Sequence, residues 1–171
     1  MAIIQTVRGF TPQIGKACFL AQTSAIIGQV ISGDQCSLWF NTVVRGDVNS
    51  ISIGRKTNIQ DGAIIHCTYK KYSTTIGNMV SIGHGAIIHG CEIEDNVLIG
   101  MGATVLDQAI IKTGCVIAAG AVVLSGTVTE PDYIYAGIPA KKVKMVGEEL
   151  KKTVLETPDR YVKYARWYTD S

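Results

Sequence analysis

Charge is scarce in this chain, and what there is nearly cancels. Asp, Glu, Lys and Arg make up 18% of its 171 residues, and the formal net charge is +2. Such a balance leaves no basic stripe to track a phosphate backbone, which argues against a nucleic-acid partner; Lys141, Lys142 and Lys144 read as a solvated edge. Aromatic residues are also few, at 7% of a chain that is 47% hydrophobic, so the core must be aliphatic and its side chains small. No apolar run approaches the length of a membrane span, and the opening MAIIQTVRGF has no charged start followed by a signal-length apolar stretch. A cytoplasmic protein without a membrane partner is expected. The five cysteines include no C-x-x-C pair and no disulfide-framework spacing, which fits a reducing compartment.

What is abundant is glycine, eighteen residues against four prolines, and it is spaced rather than clustered. Aliphatic residues recur in steps of six. Ile14, Leu20, Ile26, Leu38 and Val44 form one series, interrupted only by Ser32. Ile53, Ile59 and Ile65 form a second, and Ile76, Ile82 and Ile88 a third. Ile93, Ile99, Val105, Ile111, Ile117 and Val123 complete the pattern. Two residues before most of these stands something small, among them Cys18, Ser24, Cys36, Thr42, Thr57, Ala63, Ala86, Cys91, Ala103, Ala109, Cys115 and Ala121. Neither the 3.6-residue helical period nor simple alternation produces this register.

A six-residue unit of short strand plus turn is the mark of a parallel β-helix, a solenoid in which three units close one triangular coil of about 18 residues. The expected fold is therefore mainly β: a hexapeptide-repeat β-helix over residues 1–130, followed by a terminating loop and a C-terminal helical segment over 131–171. The period already accounts for the glycines of IGHGAIIHG and IGMGATVLD, so these are turns rather than phosphate cradles. It likewise places Cys18, Cys36, Cys91 and Cys115 in the small-residue column as inert packing. Beyond about Thr127 the hexamers stop. PDYIYAGIPAKKVK reads as a loop and EELKKTVLE as a helix, with Thr157 capping a second helix that has Pro158 in its first turn. That helix carries Tyr161, Tyr164, Ala165 and Tyr168 on one stripe and is expected to cover an open side of the solenoid.

All three histidines, His66, His84 and His89, fall within 24 positions. His66 follows Ile65 and His89 follows Ile88, so the two occupy equivalent positions one coil apart, about 4.8 Å from each other. Two imidazoles so stacked can converge on one Zn²⁺; equally, on spacing alone, they can be surface histidines. His84 belongs to the preceding side of the triangle. A threefold homotrimer, in which His84 of one subunit meets His66 and His89 of its neighbour, would use all three and leave one coordination position open, the pattern of a catalytic zinc.

WFNTVVRGDVNSISIGRKTNIQDGAIIHC together with IGHGAIIHG resembles the γ-class carbonic anhydrase family, over roughly Phe10 to Lys141. The resemblance implies a left-handed β-helix, a homotrimer, and reversible hydration of CO₂ to bicarbonate by a metal-bound hydroxide at the subunit interfaces. It implies His66, His84 and His89 as ligands of Zn²⁺, a site type that also accepts Fe²⁺ or Co²⁺. Gln60 would sit beside the bound water or bicarbonate and Tyr135 would line the pocket. Arg45, Asp47 and Asp61 would form charged pairs across the interface, with Asn58 beside them. The chain departs from the best-characterised branch at two places. Val48 stands where that branch has a proton-shuttling glutamate, and TYKKYST, without a carboxylate, replaces an acidic loop. Two other functions use the same repeats: an acyltransferase taking acyl-CoA, with one histidine as base, and a catalytically weak metal-binding trimer that serves as a scaffold.

Overall fold

The computed structural model describes residues 1–169 and contains eighteen strands and one helix among them. The strands are mostly two or three residues long, as a six-residue repeat dictates. They wind into a three-sided parallel β-helix. The first face stacks Ile3–Gln5, residues 25–28, residues 43–46, Ile64–His66, Ile87–His89, Thr104–Val105 and Val122–Val123. The second stacks residues 30–32, residues 51–53, Thr74–Ile76, Glu92–Ile93 and Ile110–Ile111. The third runs from Phe19–Leu20 through Ser37–Leu38, Asn58–Ile59, Ser81–Ile82, Leu98–Ile99 and Val116–Ile117 to Tyr133–Ala136. Two long strands, Ala25–Ser32 and Val43–Ile53, turn a corner and tie the first two faces into one sheet.

The hexamer aliphatics point inward and stack in columns. Ile65, Ile82, Ile88, Ile99, Val105, Ile111, Ile117 and Val123 are fully buried, and so are Ala63, Ala86, Ala103 and Ala121 at the corners. Ser32, the break in the first series, is buried too, with its hydroxyl accepting from the backbone N–H of Gly15. Gly54 shows why the turn residue must be small: a Cβ there would lie 2.5 Å from the backbone of Gly77 on the next coil. Replacing Ile82 with Ala removes three buried carbons from the middle of a column closed on both sides. Its unfolding free energy is expected to fall by about 2–5 kcal/mol in urea titrations at fixed chain concentration.

The C-terminal region differs from the sequence reading in three ways. First, the stretch read as a terminating loop contains the strand Tyr133–Ala136, which continues the third face by pairing in parallel with Val116–Ile117. It then turns back into the antiparallel strand Lys141–Met145, so the solenoid runs past residue 130. Second, a single helix, α1 (Glu148–Thr169), replaces the two expected segments, with Pro158 inside it. Thr157 is no cap there; its hydroxyl donates to the carbonyl of Thr153 within the helix. Pro158 forfeits one backbone bond, but Val154, Pro158 and Ala165 are buried on the same wall, and packing on both sides of the proline holds the helix together. Third, Tyr135 takes an interior position in register with Ile117, as a lid on the aliphatic core.

The few aromatics are concentrated where α1 covers the third face. Trp39 lies 5.0 Å from Phe19, 5.4 Å from Tyr161 and 5.7 Å from Tyr168, ring centre to ring centre. Lys56 adds an ion pair to Asp159 at 2.7 Å.

Candidate metal centre

Alternation along a strand decides where the histidines point. Ile65 and Ile88 face inward and are fully buried, so His66 and His89, the next residues, project from the outer side of the first face. They are partners in the ladder, and their ring centres are 5.1 Å apart. Nδ1 of His66 and Nε2 of His89 face each other at 3.1 Å.

The outer nitrogens decide what lies between the inner ones. His66 Nε2 meets Asp47 Oδ1 at 3.2 Å, and the second oxygen of Asp47 accepts from Arg45 Nη1 at 2.6 Å. Burial acts to raise the Asp47 carboxyl, but its bonds to Arg45 and His66 outweigh that and hold it below the ordinary carboxylate value. His89 Nδ1 meets Asp107 Oδ1 at 2.7 Å, and Thr68 donates its hydroxyl to Asp107 Oδ2 at 2.8 Å. An ionised carboxylate can only accept, so each imidazole places its one N–H outward and turns a lone pair inward. Burial pushes His66 below the usual histidine value, which favours the neutral ring this requires. With both rings neutral in that tautomer, two lone pairs face one another across 3.1 Å. Two nitrogens bound tetrahedrally to one ion at about 2.0–2.1 Å would stand about 3.3 Å apart, so the pair has the geometry of two metal ligands.

His84 lies elsewhere, in the turn after Ser81–Ile82 at the end of the third face, with nearly half its side chain exposed. Its Nδ1 meets Asp61 Oδ2 at 2.9 Å, so it repeats the pattern and turns Nε2 free. It borders a cleft of about 260 Å³ walled by Trp39, Phe40 and the aromatic face of α1. Among the described residues of one chain, no three His, Cys, Asp or Glu side chains gather in a way that could hold a metal. One chain thus offers a pair of donors at one place and a single donor at another.

The other expected site residues divide between these two places. Arg45 and Asp47 stand with the pair and meet each other within the chain at 2.6 Å. Asn58, Gln60 and Asp61 stand on the His84 side: Gln60 Nε2 donates to Asn58 Oδ1 at 3.0 Å, and Asn58 Nδ2 donates to Ser81 Oγ at 2.8 Å. Tyr135 joins neither group. It is buried in the core, and its hydroxyl accepts the backbone N–H of Glu130 at 2.9 Å, so packing rather than pocket lining is its role here.

Asp107 and Thr68 were not among the expected residues. Asp107 sits 18 positions after His89, one coil on, and that count is the signal by which it could have been found. Gly90 beneath it has a φ of +57°, and a Cβ there would push Asp107 Oδ1 from its place. TYKKYST forms a tight hairpin closed by an antiparallel bridge between Thr68 and Tyr72. Its exposed Tyr69 is flanked by the charges of Arg8 and Lys70, at 5.8 and 5.2 Å from the ring centre, and Arg8 also donates to the carbonyl of Asp47 at 3.3 Å. The rim beside the histidine pair is therefore cationic. Val48 packs against the core.

Comparison with known proteins agrees with this architecture. The family described as bacterial transferase hexapeptide (six repeats) matches residues 73–105 and 90–125. A protein of Methanocaldococcus jannaschii named "Probable carbonic anhydrase" is 47% identical over 150 residues, covering 88% of this chain and 94% of that protein. "Gamma carbonic anhydrase 2, mitochondrial" of Arabidopsis thaliana is 36% identical over 161 residues, covering 91% of this chain; the chain spans 58% of that longer protein. Among solved structures, a hexapeptide transferase family protein from Anaplasma phagocytophilum superposes with a TM-score of 0.93 at 35% identity, covering 97% of this chain and 98% of that one.

Proposed function

The chain belongs to the γ-class carbonic anhydrase family of hexapeptide-repeat proteins, and from that premise we propose that it is a metal-dependent carbonic anhydrase that interconverts CO₂ and bicarbonate. The single observation that carries this reading is the pair of ring nitrogens 3.1 Å apart, each ring backed by a carboxylate on its other nitrogen. His66 and His89 of one subunit and His84 of a neighbour hold one divalent ion, Zn²⁺ in the first instance, and a cyclic homotrimer repeats the arrangement three times. A zinc ion held by three imidazoles supplies a Lewis acid that brings the pKa of a coordinated water to about 7.

The chain's own residues do the rest. Asp47, Asp61 and Asp107 keep the three rings in one tautomer and so spare the site a proton rearrangement whenever the ion binds. Gln60, its amide steadied by Asn58 next to Asp61, is the neutral hydrogen-bonding group that orients CO₂ or bicarbonate. Arg8, Arg45 and Lys70 give the mouth a positive potential that draws in the bicarbonate anion. With Val48 and the TYKKYST hairpin offering no carboxylate, the product proton passes directly to dissolved buffer.

Stopped-flow CO₂ hydration tests the proposal. Zinc-loaded protein is expected to be active, to lose activity on chelation and regain it on adding Zn²⁺, and to turn over faster as buffer concentration rises. A zinc-loaded protein that hydrates CO₂ at the buffer rate, or a metal-free protein that acetylates an amine from acetyl-CoA, would overturn it.

A further inference from the structure

Along a different edge of α1 from the cleft at His84, a second cleft of about 260 Å³ opens between the helix and the first coils, bordered by Cys18, Phe19, Cys36, Val162, Ala165 and Arg166. The proposed hydration chemistry makes no use of it. Phe19 and Ser37 are partners in the ladder, so Cys18 and Cys36, one residue earlier, occupy the same position on successive coils. Neighbouring strands are about 4.8 Å apart, which lies inside the 4.4–6.8 Å Cα separation a disulfide requires. Cys18 is partly exposed to the cleft and Cys36 is buried behind it.

The two thiols are also unequal. The Cys18 thiol meets the carbonyl of Gly33 at 3.3 Å and the Cys36 thiol that of Gly54 at 3.0 Å. The neighbouring Cys36 brings Cys18 down to about 7 despite burial, while the neighbouring Cys18, with burial, pushes Cys36 up. Arg166 borders the cleft, and the carboxylate of Asp34 acts against the lowering at Cys18. An accessible thiolate with a second thiol next to it is the arrangement of an attacking and a resolving cysteine. The remaining cysteines have no such setting: Cys67, Cys91 and Cys115 are buried, and burial pushes Cys91 to about 12.

We propose that Cys18 and Cys36 form a peroxide-reactive dithiol site, with Cys18 as the attacking sulfur and Cys36 as the resolving one. The Cys18 thiolate attacks one oxygen of hydrogen peroxide. The O–O bond breaks, the sulfur gives up two electrons to become a sulfenic acid, and the departing hydroxide leaves as water after taking a proton from solvent. The Cys36 sulfur then attacks the Cys18 sulfur, the S–S bond forms as the S–OH bond breaks, and the hydroxide released takes up the Cys36 proton as a second water. A small dithiol reductant returns both thiols.

The test uses the purified full-length protein exposed to hydrogen peroxide, then denatured in N-ethylmaleimide and mapped by peptide mass. A Cys18–Cys36 linked peptide lighter by two hydrogens is expected, with Cys67, Cys91 and Cys115 carrying the label. In Cys36→Ser, dimedone is expected to trap a sulfenic acid on Cys18. In the native protein, iodoacetamide should modify Cys18 at least about tenfold faster than Cys91. Oxidation of Cys18 that leaves Cys36 fully labelled, or alkylation of Cys18 no faster than that of Cys91, would overturn the assignment. The wild-type map decides the matter even if the serine variant does not fold.

Discussion

Alanine at His89 is expected to empty the metal site. The wild-type protein should carry about one ion per chain, and the variant less than about a tenth of that after dialysis, with CO₂ hydration falling by more than about 100-fold. Substitution of groups that merely support a ligand costs 10–100-fold in affinity or activity, and loss of a ligand itself exceeds this. The reason lies in the ladder: without the ring of His89, Nδ1 of His66 has no second donor across from it at 3.1 Å. The remaining donors, one from each of two subunits, cannot surround an ion. The fold should survive, because the His89 side chain is about a third exposed and lies outside the aliphatic columns. Its stability is expected to change by no more than about 1 kcal/mol in thermal unfolding of the metal-free protein. Elemental analysis paired with that unfolding curve separates a lost ligand from a lost fold, and a full complement of metal in the variant would show that His89 is no ligand.

The second large effect concerns a residue that never touches the ion. Asp107→Ala removes the acceptor 2.7 Å from His89 Nδ1, so the ring is free to move its proton to the nitrogen that should face the metal. Metal affinity, measured by competition with a chromogenic chelator, is expected to fall by about 10–100-fold. Asp107→Asn keeps an oxygen for His89, while its amide can donate to the Thr68 hydroxyl that now bonds Asp107 Oδ2. That variant is therefore expected to lose less than about tenfold, and the two together distinguish the need for an acceptor from the need for a charge. An alanine variant that binds metal as tightly as wild type would sink the tautomer argument.

How much of this was readable beforehand follows from range. The hexamer period is local, so Ile82, Ile99 and Ile117 announced the columns and the small residues between them, and the parallel solenoid was borne out. The alignment of His66 with His89 was readable for the same reason, since it needed only one count along the repeat. Asp107 needed a count one coil forward together with the orientation of a carboxylate, and no short motif encodes that. The C-terminal region was harder because its rules are tertiary. Pro158 is locally a helix start, yet burial of Val154 and Ala165 on either side of it makes one helix. The strand at Tyr133–Ala136 carries Tyr135 where the repeat has an aliphatic, so nothing in the period marked it as one more rung. Arg45 and Asp47, two residues apart on one strand, meet at 2.6 Å while Asp47 steadies His66, a pairing within the chain that the sequence reading did not include.

The central claim is that one copy supplies two ligands and another supplies the third. Mixing subunits tests it most directly. His84→Ala retains the stacked pair and lacks the single donor; His89→Ala retains the single donor and lacks the pair. Each alone should bind no metal. Co-refolded in equal amounts, they should form mixed trimers with one complete site apiece, which by random assembly restores about a quarter of wild-type metal content and CO₂ hydration. A mixture as empty as its two components, although mass measurement shows that mixed trimers have formed, would contradict the account.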